Sequence, residues 1–185
     1  MSQLQKYKHV KLFLKIIIII IILLLAGYLA GYFLPKDTTI RKEKIINKPS
    51  FFVWAAIINH FEETSWRTDL DTTENLEDKD GLPFWKEKYV NGDSLFLVTT
   101  AEVYNRLIVR EVVNSDIYEG TMFIINVSSV EGGTKITYIE ERNINKPIYR
   151  LIYYFKDPSE KLQKYLDDLE NKFEKEAEEE NSSGW

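Results

Sequence analysis

The stretch "EGGTKITYIEERNINKPIYRLI" (residues 131–152) decides the fold. It opens on a Gly-Gly turn and runs into a strand of strict alternation. Ile136, Tyr138 and Glu140 share one face of that strand, and Thr137, Ile139 and Glu141 share the other. Asn-Lys-Pro follows, and then Arg150 stands alone in an apolar, aromatic run. A carboxylate turned inward loses its water and needs a cation or hydrogen-bond donors in return. If "PIYRLIYYF" (147–155) adds one more strand, Arg150 is the cation at hand. The sharp expectation is therefore a Glu140–Arg150 pair inside the fold. The plain alternative is a salt bridge that only fixes strand register.

Upstream of this stretch the same period-two pattern repeats after Gly81. The expected strands are "FWKEKYV" (84–90), "SLFLVTTAEV" (94–103), "RLIVREVV" (106–113), "GTMFIINV" (120–127) and "TKITYIEER" (134–142). Asn91-Gly92-Asp93, Asn114-Ser115-Asp116 and Gly132-Gly133 separate them, and turns this short between consecutive strands imply an antiparallel meander. An earlier strand is expected at "TTIRKEKIIN" (38–47). A helix should start at Pro49, with Val53, Trp54, Ile57, Ile58 and Phe61 on one face. Residues 62–80 read as a polar segment whose one large apolar residue of note is Trp66.

The last element is a long helix. Asp157-Pro158-Ser159-Glu160 supplies a capping residue, a proline at N1 and a carboxylate at N3. Leu162, Tyr165, Leu166, Leu169 and Phe173 recur at spacings of three and four. A sheet with one apolar face needs a cover, and this helix is the natural one. A twisted sheet curled round one helix leaves room between them, and Tyr149, Tyr153, Tyr154 and Phe155 are candidates to line it. Residues 176–185 are too acidic to pack and are expected to fray as a tail.

At the other end, residues 16–34 are 19 uncharged, almost wholly apolar positions. At 1.5 Å per residue they reach roughly 28 Å, about the hydrocarbon thickness of a bilayer. Tyr28 and Tyr32 sit near the far end, where amphipathic rings favour the interface. The stretch is longer than the apolar core of a cleaved signal, so a retained single-pass span is expected, after a basic flank at 1–15. Lysines lie on both sides of it. The short N-terminal flank leans the soluble part, residues 36–175, to the far side of a bacterial inner membrane.

Composition excludes several chemistries. With no cysteine there is no disulfide, thiolate metal site or cysteine nucleophile. His9 and His60 lie in separate segments, so neither a histidine metal site nor a Ser-His-Asp triad is expected, and no cofactor is implied. Lys6, Lys8, Lys11 and Lys15 carry the only charges before Pro35, so the rest is more acidic than the net −5 and disfavours nucleic acid.

The order of these patterns resembles the START/Bet v 1-like (SRPBCC) superfamily, in particular its polyketide cyclase/dehydrase-like group and that group's membrane-anchored bacterial members. "IINKPSFFVWAAI" resembles the opening of that group, Trp66 its tryptophan after a second short helix, and "FWKE" its Trp-x-Glu strand, which gives Trp85 and Glu87. Gly133, Thr134, Thr137, Glu140, Asn145, Pro147 and Arg150 match a Gly-Thr-x-Val-Thr-x-x-Glu strand followed by Asn-x-Pro-x-x-Arg. Glu141 and Arg142 depart from the Arg-Gly often found after that glutamate. The resemblance covers residues 33–173. It implies an α+β helix-grip fold: a curved antiparallel sheet of about six or seven strands wrapped round a long C-terminal helix, here preceded by one transmembrane helix. It also implies a cavity for a lipid or other hydrophobic small molecule, lined by Trp85, Glu87, Tyr138, Glu140 and Arg150. The fold does not fix a function. The alternatives are a tethered protein-interaction domain with a filled cavity, and a cyclase- or hydrolase-like enzyme in which Glu87 and Glu140 divide acid and base roles. No catalytic residue is assigned.

Overall fold

The computed structural model describes residues 3–157 and 159–182, with side chains from Lys11 onward. Helix α1 spans Gln3–Phe33. Strand β1 (Asp37–Ile46) follows at once, then α2 (Ser50–Ile58) and α3 (Glu63–Trp66). Six strands come next: β2 (Leu70–Asn75), β3 (Phe84–Tyr89), β4 (Ser94–Val103), β5 (Leu107–Val113), β6 (Met122–Val130) and β7 (Gly133–Asn143). Two helices, α4 (Pro147–Tyr154) and α5 (Glu160–Ser182), end the described chain.

The strands form one antiparallel sheet in the order β1-β7-β6-β5-β4-β3-β2. The meander from β2 to β7 follows from its tight turns. At the β3–β4 turn, for example, the Asn91 side-chain oxygen accepts from the Asp93 amide at 3.0 Å. The first strand then returns to pair with the last, Ile40 opposite Glu140. The sheet curves round α5, whose stripe of Leu162, Leu166 and Leu169 has no exposed surface. Burying each of these side chains contributes roughly 1.5–3 kcal/mol. Polar ties set the helix's position. Lys44 of β1 donates to Asp167 at 2.6 Å and also pairs with Glu170, and on the other flank Thr68 donates its amide to Asp168 at 2.8 Å. Val53, Trp54, Ala56 and Ile57 of α2 close one end of the core.

Three expectations need correction. Residues 147–155 do not extend the sheet: 147–154 form helix α4. Strand β7 already has neighbours on both sides, β1 and β6, so no edge is left there for another strand. Pro147 suits the first turn of a helix, and α4 docks on α1, where Gly31 comes so close to the Pro147 carbonyl that a Cβ would overlap it. Secondly, the polar segment contains strand β2, an edge strand with only Leu70 buried, so no apolar alternation announces it. Thirdly, α5 continues to Ser182, so residues 176–182 are helical rather than frayed. Glutamate and alanine are good helix formers, and Lys172 pairs with Glu176 one turn on. Pro158, proposed as the N1 residue, and residues 183–185 lie outside the described residues. Asp157 lies ahead of the first turn of α5, which begins at Glu160, and accepts from the Ser159 amide at 2.8 Å.

Gly133 opens β7 at φ +140°, where a Cβ would overlap the Ile46 carbonyl. Gly133→Ala should therefore lower stability by roughly 1–3 kcal/mol through backbone strain and a forced shift of β1. Urea unfolding followed by tryptophan fluorescence measures it. An unchanged midpoint would show that the β1–β7 junction has slack that the structure lacks.

Candidate functional site

Alternation along the strands decides which side chains enter the cup between sheet and α5. Trp85, Glu87 and Tyr89 point in from β3, Ile108, Arg110 and Val112 from β5, and Ile136, Tyr138, Glu140 and Arg142 from β7. The short helix α3 adds Glu63, and Arg67 follows at its C-cap. Six of these are buried carboxylates or guanidinia: Glu63, Arg67, Glu87, Arg110, Glu140 and Arg142, none more than 8% exposed.

They are wired to one another. Glu63 accepts from Arg67 Nη1 at 2.7 Å and from Arg110 Nη1 at 2.8 Å. Arg110 Nη2 donates to the Ile57 carbonyl at 2.6 Å, which ties α2 to the network. Glu87 accepts from Tyr89 Oη at 2.7 Å, Arg67 Nη1 at 3.2 Å and Trp85 Nε1 at 3.3 Å. Arg67 also bonds Asp69. The Arg110 guanidinium lies 5.3 Å from the centre of the Trp85 ring, and that of Arg67 lies 5.4 Å from Tyr165. His60 stacks on Trp85, with ring centres 4.3 Å apart.

The charges explain the titration behaviour. Burial by itself would raise the Glu87 carboxyl. Arg67, then Arg110, outweigh it and hold the group at about 2. Burial, then Glu63, raises Tyr165, and burial, then Glu87, raises Tyr89, so both stay neutral donors. Burial and the nearby Arg110 lower His60 to about 4. Lys161, half-buried at the start of α5, is lowered by burial and then by Arg67. Its ammonium sits 4.2 Å from the Tyr89 ring centre.

Of the five residues singled out from the sequence, Trp85, Glu87, Tyr138 and Glu140 do point into this cup. Arg150 does not. It sits on α4 and donates to the carbonyls of Ile144 at 2.8 Å, Asn145 at 3.1 Å and Leu34 at 3.4 Å. The Glu140–Arg150 pair is thus corrected: Arg142, two residues on and on the same face, donates Nε to Glu140 Oε1 at 2.6 Å. Arg142 had been noted only as a departure from a pattern. Arg110 was legible as the inward position between Ile108 and Val112. Glu63 and Arg67, four residues apart around Trp66, lie in a segment whose polar composition gives no sign of their burial. Tyr149, Tyr153 and Tyr154 lie on α4, and Phe155 is its C-cap residue. Of these, Tyr153 reaches the domain, through its hydroxyl contact with Tyr118 and the Arg142 guanidinium 5.1 Å from its ring centre.

The lining is therefore ionic and aromatic. Several of its polar atoms are buried yet have no partner within the protein: Glu140 Oε2, Tyr165 Oη, Trp66 Nε1 and Arg110 Nε. Tyr165 sits between Trp66 and Tyr138, with ring centres 5.2 and 4.9 Å away, so these groups share one region. Two open polar depressions, of about 410 and 420 Å³, flank α5 outside the cup. Among the described residues no group of three or more histidine, aspartate or glutamate side chains is arranged to hold a metal ion. Glu87 is fully engaged, so Glu87 and Glu140 are not a pair of free carboxylates.

No family model and no curated protein matches this sequence. Solved structures match it by shape. One is the Zhui aromatase/cyclase from Streptomyces sp. R1128, at 10% identity and TM-score 0.62, covering 76% of this chain and 96% of that one. Another is a START superfamily protein from Mycobacterium smegmatis, at 12% identity and TM-score 0.60, covering 74% of this chain and 97% of that one. A third is the di-domain ARO/CYC BexL from the BE-7585A biosynthetic pathway, at 10% identity and TM-score 0.60, covering 74% of this chain. This chain spans about half of BexL's length, 50%. The fold is the helix-grip fold of the START and polyketide cyclase-like proteins.

The low value for His60 has a direct consequence. Between pH 6.5 and about 4 the unfolded chain binds a proton there that the folded chain refuses, so stability falls as pH drops through that window. Glu87 acts in a lower window. Its stabilising charge is complete above about 4.5 and is lost towards 2. His60→Gln should flatten the melting temperature between pH 6.5 and 4 and leave the lower fall in place. Thermal melts by circular dichroism read both. An unaltered upper slope would remove His60 as its cause.

Proposed function

We propose that this chain is a membrane-tethered binding module for an amphipathic small molecule, a lipid or lipid-like compound taken into the helix-grip cup. Residues 36–175 form the binding domain, and α1 holds it at the bilayer where such molecules are stored. Helix α1 supports the tether because Lys11–Phe33 is long and apolar enough to cross a membrane, and its apolar side chains are exposed. The observation that carries the binding half is the set of orphaned polar atoms inside the cup, Glu140 Oε2 and Tyr165 Oη above all. Buried polar groups are almost always satisfied, and a group left unpaired costs about 1–3 kcal/mol. A ligand head group carrying O–H or N–H donors satisfies Glu140, while Phe123, Tyr138 and Tyr165 take its apolar body. Trp85 and Glu87 then act behind this contact, fixing the charge and shape of the wall. Arg150 acts outside it. The likeness of fold to a START superfamily protein and to an aromatase/cyclase supports a cup that receives a ligand.

A second reading has its own observation. Trp85, Glu63 and Glu87 fill the middle of the cup with paired, fully buried groups, which suits a tethered protein-interaction domain whose cavity is closed. Native mass spectrometry of the full chain released from mild detergent separates the two. A stoichiometric adduct, lost in Glu140→Gln while the melting temperature holds, is the expected result. Equal losses of binding and stability would give Glu140 a purely structural role. A bare mass, with no uptake from a lipid extract, would favour the interaction domain.

A further inference from the structure

Helix α4 carries side chains that the cup does not use. Ile148, Ile152 and Phe155 recur at i, i+4 and i+7, and they are 39%, 44% and 79% exposed. Tyr154 beside them is 68% exposed. An apolar stripe left open on an eight-residue helix needs an occupant.

The surroundings of α4 identify it. The adjacent face is packed on the end of α1, Pro147 against Gly31 and Leu151 against Gly27. These two glycines are four residues apart, so their small surfaces form one groove that admits a second helix closely. Arg150 fastens the join by donating to the carbonyl of Leu34. The open stripe is therefore continuous with the exposed apolar surface of α1. Tyr28 and Tyr32, both half or more exposed, stand at the same level, where amphipathic rings seek the membrane interface.

The same end of the domain follows from the chain path. Strand β1 begins at Asp37, directly after α1 ends at Phe33. In an antiparallel meander this places the β3–β4 and β5–β6 connections at that end as well. Tyr118 of the β5–β6 connection meets Tyr153 of α4 through their hydroxyls.

We infer that α4 is seated in the headgroup–acyl boundary of the bilayer, with Ile148, Ile152 and Phe155 in lipid, and that it turns the Tyr118–Tyr153 end of the cup onto the membrane. This inference rests on α1 being a membrane span. It goes beyond a tether, because a span alone leaves the domain free to tumble above the surface. Seated on α4, the domain has one orientation, and a molecule leaving the bilayer meets the cup at its Tyr118–Tyr153 end.

The absence of cysteine makes the test clean. Single cysteines are introduced in the full chain at Ile152, at Ile20 within α1 and at Glu131 in the turn at the far end of β7. Each is spin-labelled, and the protein is placed in phosphatidylcholine/phosphatidylglycerol vesicles. Accessibility to oxygen and to a water-soluble nickel chelate then gives depth. The expected result for Ile152→Cys is oxygen-accessible and nickel-shielded, at a depth of about 5–10 Å below the phosphates. Ile20→Cys should read deeper, and Glu131→Cys should read as water. If Ile152→Cys is as nickel-accessible as Glu131→Cys while Ile20→Cys stays in hydrocarbon, the interfacial seat is overturned and the tether stands. If Ile152→Cys is shielded from both reagents, protein covers the stripe and the inference is equally overturned. If Ile20→Cys itself reads as water, the tether falls and takes this inference with it.

Discussion

The carboxylate of Glu87 constrains the rest of this structure. It is 2% exposed on β3, and it stays ionised because Arg67, Tyr89 and Trp85 bond it and the Arg110 charge lies nearby. Two local rules deliver those donors. Trp85 and Tyr89 arrive by strand alternation two residues to either side. Arg67 arrives because α3 ends one residue before it and Glu63 holds it one turn back. Glu63 in turn needs Arg110 from β5, and Arg110 binds the Ile57 carbonyl of α2. One buried charge therefore fixes the relative placement of α2, α3, β3 and β5. Removing one charged member of a buried ion pair leaves an uncompensated ion in the core, which generally costs about 3–5 kcal/mol.

Buried ion pairs are weak contributors to net stability, because desolvation cancels much of the attraction. The apolar layers do that work here. Leu162, Leu166 and Leu169 of α5 meet Ile125 and Ile136 of the sheet, all with essentially no exposure. The ionic layer gives geometry instead. It sets which rings stand beside which charges, with Arg110 over Trp85 and Arg67 near Tyr165, and it keeps Tyr89 and Tyr165 as neutral hydroxyls in a charged neighbourhood.

How much was legible in the sequence depended on how local the deciding interaction was. The strands from Phe84 to Asn143 were readable because alternation and turn residues lie within a few positions of one another. The α5 stripe was readable for the same reason. Strand β2 was not, since "LDTTEN" on a sheet edge buries one residue and gives no period. Helix α4 was misread because "PIYRLIYYF" suits a strand as well as a helix over so short a run. The choice was made by β1 occupying the far edge of β7, a pairing roughly a hundred residues apart in the chain. The site split along the same line. Trp85, Glu87, Tyr138 and Glu140 sit in alternating strands that also match the family pattern, and Arg110 is likewise an inward strand position. Glu63 and Arg67 lie outside any alternating strand, and their pairings with Arg110 and Glu87 cross 47 and 20 residues. The partner given to Glu140 was wrong for a related reason: Arg142 is adjacent, but only its face marks it as the cation.

Once α4 is a helix, the roles of Arg150 and the aromatic run around it change together. As a strand residue, Arg150 would have entered the cup as a second cation beside Arg142, against the single open oxygen of Glu140. As a helix residue it closes three backbone carbonyls, those of Leu34, Ile144 and Asn145, at the joint where α1, β7 and α4 meet. A guanidinium suits that place, since its fan of donors satisfies several acceptors at once where the chain leaves regular structure. The joint then fixes α4, α4 fixes Tyr153, and Tyr153 meets both Tyr118 and the Arg142 that holds Glu140. The open oxygen of Glu140 is thereby linked, through Arg142 and Tyr153, to the helix that packs on α1.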